Sequence, residues 1–238
     1  MNAYEALATF YDHLIEKDFY TSYVARMEET LGTLKGKNMY DLGCGTGRLG
    51  ALCLKKGAAV GGIDLSKQMI EQAQKEVPEG AWSVGKMQEV KLPKETYDVI
   101  VSTLDAVNYI ESLEEVRQLF ERVYEGLVQG GTFLFDIHSL YKKEILLYEA
   151  PFVYDDGELS YIWETTPNGS YGVDYSLLFY MNKGDCYERK EEYHTQWFYP
   201  TPVYMNLLLE VGFTVEYVIG DQEDLEESTR YFISVKKN

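Results

Sequence analysis

The residues of this chain best suited to chemistry are acids and histidines placed at the ends of apolar runs, together with one cluster of glycines. The glycines stand in Asp41-Leu42-Gly43-Cys44-Gly45-Thr46-Gly47. Glycine has no Cβ, so the backbone can take positive φ and lie directly beneath a ligand. The free N–H groups of a helix that follows such a turn point at the same place. Asp64 ends a second apolar run, 23 residues beyond Asp41. At that interval a carboxylate can accept both hydroxyls of a ribose, and a hydrogen bond to a charged group contributes about 1.5–3 kcal/mol. Asp105, Asp136 and His138 follow two further apolar runs, and His194 lies in a later aromatic stretch. These four are the candidates for orienting or deprotonating a substrate. With His13, His138 and His194 the chain has three histidines, and they exhaust its imidazole bases.

The elements that must carry these residues follow from periodicity. Residues 38–42 read as a short strand and 48–56 as an amphipathic helix. Strand, glycine turn and helix is how an α/β sheet brings its backbone against a nucleotide-like ligand. A dinucleotide fingerprint would space its glycines G-x-G-x-x-G, whereas here the spacing is G-x-G-x-G and Arg48 stands where that pattern wants glycine. Residues 58–64 predict a second strand, and Ser66 caps a helix over 67–77. Pro78-Glu79-Gly80 breaks that helix before a short third strand at 81–84. Tyr97 to Thr103 is a buried apolar run of parallel-sheet type. Ser112 with Glu115 forms a capping box for the next helix. Gly130-Gly131 is expected to open a fifth strand over 132–137, followed by a helix over 139–149. Ligands of open α/β sheets lie beyond the carboxyl ends of the strands. Thr103, Leu104, Asp105, Asp136 and His138 fall at that edge, while Asp98, at a strand start, reads as structural.

The heptapeptide D-L-G-C-G-T-G resembles the first motif of the class I S-adenosylmethionine-dependent methyltransferases, and Gly62-Ile63-Asp64-Leu65-Ser66 resembles their second. The resemblance covers residues 37–137 and 200–238 well and the remainder more loosely. It implies a Rossmann-like α/β fold with a seven-stranded, mostly parallel sheet of order 3-2-1-4-5-7-6. It also implies S-adenosylmethionine as cofactor, with Asp41, Gly43, Cys44, Gly45, Gly47, Asp64, Leu65, Met69, Lys86, Met87, Gln88, Thr103 and Leu104 around it. The family often carries an acid before Met87 to hold the adenine amino group. Lys86 stands there instead, which leaves Met87 to pack on the ring. Asp105-Ala106-Val107-Asn108-Tyr109-Ile110 resembles a D-x-x-N-Y-I/L motif of small-molecule N-methyltransferases.

Residues 1–35 read as a helical lid, and Leu7 to Leu14 is similar to the opening helix of small-molecule methyltransferases, with Tyr11 as the lid contact. From 151 to 199 the pattern changes to period two, with turns at Asn168-Gly169 and Asn182 to Asp185, and reads as an antiparallel β insertion. Trp163, Tyr175, Tyr193 and Trp197 are its candidate pocket aromatics. Relatives often carry H-x-x-R-x-Y from the position of His194; Trp197 replaces the basic residue. A helix from Thr201, ended by Gly212, and two last strands complete the core. One methyltransferase domain over 1–238 is expected: lid 1–35, core 36–150 and 200–238, insertion 151–199.

Composition bounds the function. At 238 residues with 45% apolar and 26% charged, the chain can bury a sizeable core. A net charge of −17, from 39 acids and 22 bases, supplies little to neutralise phosphates, so nucleic acid is not an expected partner. Cys44, Cys53 and Cys186 suggest neither a disulfide framework nor a zinc site. Met1 to Phe10 lacks the pattern of a signal peptide, no apolar run is long enough to span a membrane, and a cytoplasmic location is the expectation. The reading is methyl transfer from S-adenosylmethionine to a small-molecule N- or O-nucleophile, with a homodimer left open. The rivals are a non-catalytic S-adenosylmethionine-binding module and a NAD-linked oxidoreductase.

Overall fold

The computed structural model describes residues 17–238. In chain order the elements are α1 (Lys17–Leu31), β1 (Asn38–Leu42), α2 (Arg48–Lys55), β2 (Ala59–Asp64), α3 (Lys67–Glu76), β3 (Ala81–Val84), β4 (Tyr97–Ser102), α4 (Leu113–Gly126), β5 (Leu127–His138) and α5 (Leu140–Glu149). Then come β6 (Phe152–Asp155), β7 (Leu159–Asn168), β8 (Gly172–Asn182), β9 (Tyr187–Trp197), α6 (Thr201–Val211), β10 (Phe213–Gly220) and β11 (Arg230–Lys237). The residues around Tyr11 and His13 lie outside the described part.

Local chemistry sets the helix starts. Ser66, Ser112 and Ser139 each precede a helix, and each hydroxyl accepts the N–H three residues on, from Met69, Glu115 and Lys142. That satisfies one of the amides a helix leaves without a partner. At the other end of α6, Gly212 takes φ 114°, the left-handed turn that closes a helix most readily with glycine.

Seven strands form one sheet in the order β10-β11-β5-β4-β1-β2-β3. β1 pairs in parallel with β2 and β4, β2 with β3, and β4 with β5; β11 runs antiparallel between β5 and β10. This is the Rossmann-like class expected from the sequence. Helices cover both faces. On one, α4 and α6 bring Phe120, Tyr204 and Leu208 against Ile100, Phe133 and Phe135. On the other, Tyr23, Met27, Leu49 and Ile70 pack on Met39, Val99 and Val101 with Trp82. Each such side chain, fully removed from water, contributes about 1.5–3 kcal/mol, so the strand ends are held on a rigid base.

One boundary differs from expectation. β5 starts at Leu127 rather than after Gly130-Gly131, and its register with β4 slips between Tyr97↔Leu127 and Val99↔Thr132. Gly130, at φ 76°, takes up that slip inside the strand, so the glycines mark an irregularity and not a beginning.

The second sheet, β6-β7-β8-β9, is antiparallel throughout. Alternation gives it two faces. Tyr161, Trp163, Tyr175, Leu177, Phe179, His194 and Gln196 line a cavity shared with the main sheet's carboxyl edge. Asn108 ties the two sheets together. Its Nδ2 donates to the Trp197 carbonyl at 2.9 Å and its Oδ1 accepts the His138 N–H at 2.9 Å.

Candidate active site

The cavity, about 640 Å³, opens along the carboxyl ends of β1, β2, β4 and β5. Its first half is the glycine turn. Gly43 and Cys44 both donate N–H to the Ile63 carbonyl, at 2.8 and 3.0 Å, which ties the turn to the end of β2. Gly43 takes φ 78°, and a Cβ there would come within 2.8 Å of the Ala106 Cβ. Gly45 takes φ 52° and would meet nothing within 4 Å, so any side chain there would project into open space on the cavity floor. The Gly45 N–H donates to Asp64 Oδ2 at 2.9 Å, and the Ser66 N–H to Asp64 Oδ1 at 2.8 Å. Burial raises the Asp64 carboxyl against the pull of those two amides. Each oxygen keeps a lone pair for a ligand hydroxyl. Leu65, Met69, Lys86, Met87 and Gln88 complete this wall, with Gln88 Nε2 donating to Glu115 Oε1 at 3.3 Å. Lys86 Nζ pairs with Glu89 at 3.3 Å.

Asp41 lies beneath this floor, 1% exposed, and its Oδ1 has no hydrogen-bond partner in the structure. Burial, with the Asp64 charge nearby, pushes its carboxyl up to about 8. Three expected cofactor contacts are corrected, and Asp41, which does not line the cavity, is the first. The Cys44 side chain is buried in the α1–α3 face of the core and does not line the cavity. Gly47 caps α2, and a Cβ there would meet Trp82 at 3.1 Å and Ala73 at 3.2 Å. It is glycine so that α2 can pack against Trp82, which puts it outside the cavity.

The second half is built around the carboxyl end of β4. Thr103, Leu104 and Asp105 line it, and Leu104 and Asp105 are consecutive non-glycine residues with φ 59° and 54°. Such backbone costs on the order of 1–3 kcal/mol per residue and persists only where the surroundings fix it. Here they do. The Asp105 N–H donates to Asp136 Oδ2 at 2.8 Å, Arg230 Nη2 donates to Asp105 Oδ1 at 2.8 Å, and Gln196 Nε2 donates to Asp105 Oδ2 at 2.5 Å. Burial would raise the Asp105 carboxyl, but the neighbouring His138 and Arg230, with the hydrogen bonds that Arg230 and Gln196 donate to it, hold it below the ordinary range. Gln196 in turn accepts from the Tyr175 hydroxyl at 2.8 Å.

Asp136 is corrected as an acceptor-facing group. It is fully buried, does not line the cavity, and accepts from the Tyr23 hydroxyl, from Arg230 Nη1 and from the Asp105 N–H. Its carboxylate anchors α1, β4 and β11 to one another. His138 does line the cavity; burial, reinforced by Arg230 and Lys142, lowers its imidazole to about 4 despite the nearby Asp105. His194 also lines it, with Nε2 3.2 Å from Glu192 Oε2 and its ring edge-on to Tyr109. Of the four aromatics expected from the insertion, Trp163 and Tyr175 reach the cavity. Tyr193, 64% exposed, and Trp197 do not, because they alternate with the inward-facing His194 and Gln196 along β9.

Arg230, Gln196 and Glu192 were not singled out from the sequence. Arg230 was findable in principle: an arginine opening a strand that runs antiparallel to β5 must land at the carboxyl edge, and it pairs with His138.

A sequence profile described as "Methyltransferase domain" matches residues 39–131. A protein of Geobacillus sp. (strain WCH70), provisionally named a methyltransferase, is 35% identical over 98% of this chain and 99% of its own length. Among solved structures, an S-adenosylmethionine-dependent methyltransferase from Clostridium acetobutylicum ATCC 824 superposes with a TM-score of 0.87 at 24% identity, covering 99% of both chains. The S-adenosylmethionine-bound aminopentose methyltransferase CalS10 of Micromonospora echinaspora superposes at 0.78 and 16% identity, over 100% of this chain and 99% of that one.

Proposed function

The chain belongs to the class I S-adenosylmethionine-dependent methyltransferase family, and on that footing we propose that it methylates the nitrogen of a small-molecule amine. The residues present fit the cofactor. The open space above Gly45 is one that a Cβ would fill, and Asp64, beside it on the cavity wall, has lone pairs left for a ribose. Gly43, Gly45, Asp64, Leu65, Met69 and Met87 would hold it. When bound, S-adenosylmethionine supplies an electrophilic methyl group on a sulfonium and leaves as the thioether.

The chain's own residues then have three tasks. The aromatic walls of Tyr161, Trp163, Tyr175 and Phe179 exclude water and favour a cation over their faces. Asp105, held ionised by Arg230 and Gln196, adds negative charge at the strand edge. His194, backed by Glu192, accepts the proton that an ammonium must give up before its lone pair can take a methyl group. The 3.2 Å imidazole–carboxylate contact inside an aromatic chamber is the observation that carries the reading. The net charge of −17 and the aminopentose substrate in the name of CalS10 support the same class.

A screen of small amines and matched alcohols for S-adenosylhomocysteine release tests this. Turnover is expected with amines only. His194→Ala should lower kcat by about 10²–10⁴-fold, the usual range for a general base, with S-adenosylhomocysteine affinity unchanged. Turnover of alcohols alone, or an unaffected kcat, would sink the amine reading.

A further inference from the structure

Arg230 is half-buried on the cavity wall where α1, the β4 edge and β5 meet, and it serves three groups at once. Its Nη1 donates to Asp136 Oδ2, and its Nη2 lies 2.8 Å from Asp105 Oδ1 and 2.9 Å from His138 Nε2. Its guanidinium also sits 5.5 Å from the centre of the Phe19 ring on α1. A terminal guanidinium nitrogen has two hydrogens and no lone pair to offer. The two contacts of Nη2 therefore both run outward, one hydrogen to the carboxylate and one to the imidazole. The nitrogen that receives such a hydrogen must present a lone pair, so His138 Nε2 is unprotonated, and a neutral ring carries its proton on Nδ1. A second proton would set an N–H against the guanidinium, in line with the lowering of this imidazole. Nδ1 is buried and has no partner in the structure, while the ring lines the cavity and stacks on Phe198 at 6.0 Å.

We propose that Arg230 is a positioning residue of the acceptor site: it fixes His138 as a neutral, Nδ1-protonated imidazole. That side of the chamber thereby holds no base. The consequence for the reaction, which rests on reading the cavity as the methyl-acceptor site, is that His138 offers the chamber no lone pair: Nε2 is taken by the guanidinium and Nδ1 holds its proton in the buried interior. Proton removal is left to His194. The two histidines on the cavity wall then have opposite jobs, set by opposite partners: a guanidinium that only donates and a carboxylate that only accepts.

The test is the tautomer itself, read from long-range ¹H–¹⁵N correlations of the imidazole rings in the uniformly labelled full chain near neutral pH. His138→Asn assigns the signal by its disappearance. The expected pattern for His138 is a protonated Nδ1 with a lone-pair Nε2. A protonated Nε2, or a doubly protonated ring, would overturn the proposal. In Arg230→Met the proton should move to Nε2, which lies 3.5 Å from Asp105 Oδ1 and would then have an acceptor. An unchanged tautomer in that variant would show that Arg230 does not set it. Should Arg230→Met not fold, the wild-type spectrum decides alone. None of these readouts involves methyl transfer, so failure of the amine reading would leave the tautomer result standing, and the reverse holds too.

Discussion

Asp41 is a carboxyl group sealed in the core with one oxygen that nothing in the structure serves. Its folded value of about 8 lies far above the ordinary 3.8. Between these values the folded protein keeps a proton that the unfolded chain releases, so stability falls as pH rises through that window. The ligand-free protein should therefore hold its full Asp41-related stability below about pH 4 and lose it progressively toward pH 8. Asp41→Asn should remove the decline, with a gain at pH 8 of about 1–3 kcal/mol, the usual penalty for a buried unsatisfied group. Urea unfolding of both proteins at pH 5 and pH 8 measures it. A variant equally destabilised at both pH values would mean that Asp41 is ionised in the folded protein and contributes as a charge.

Between the two sheets, Asn108 carries more than its place in a short turn suggests. It is fully buried and bridges the His138 N–H to the Trp197 carbonyl, joining the end of β5 to the end of β9. Asn108→Ala leaves two backbone groups without partners, which costs about 1–3 kcal/mol each. The expected result is a loss of about 2–6 kcal/mol in thermal unfolding, with faster amide exchange concentrated in β8 and β9. Uniformly faster exchange across both sheets would show that the insertion is not held through this residue. The motif around it was legible as a run of letters, but its work was not. Spacing can say that Asn108 follows a strand, and only the packing of β9 against that turn supplies the carbonyl it holds.

At the scale of the molecule, 39 acids against 22 bases make a surface that repels itself. Salt screens such repulsion over about 10 Å at 0.1 M. Raising sodium chloride from about 0.02 M to about 0.3 M should raise Tm by about 2–4 °C, corresponding to ~1 kcal/mol for a chain of this size. Scanning calorimetry with the same buffer ions checks it. A lower Tm in salt would mean that favourable ion pairs outweigh the net charge. Among the described residues, no helix is long and apolar enough to cross a membrane.

What the sequence determined by itself was everything that local rules govern. Glycine spacing set the turn at 43–47, serine caps set three helix starts, and apolar runs ending in Asp64 and Ser102 set strands whose carboxyl ends face one edge. These are legible because each depends on residues near in the chain: a missing Cβ, a hydroxyl three positions before an amide, a period of two or 3.6. What only the tertiary structure decided was which of the edge residues work together. Arg230, far along the chain from Asp105 and Asp136, joins them because β11 turns back against β5 and brings its first residue to the ligand side. That contact removes Asp136 from the cavity wall and settles the protonation of His138. In the same way, one residue of register in β9 turns His194 and Gln196 inward and Tyr193 out. Long-range pairing and register are properties of the whole chain's packing, and no short segment contains them.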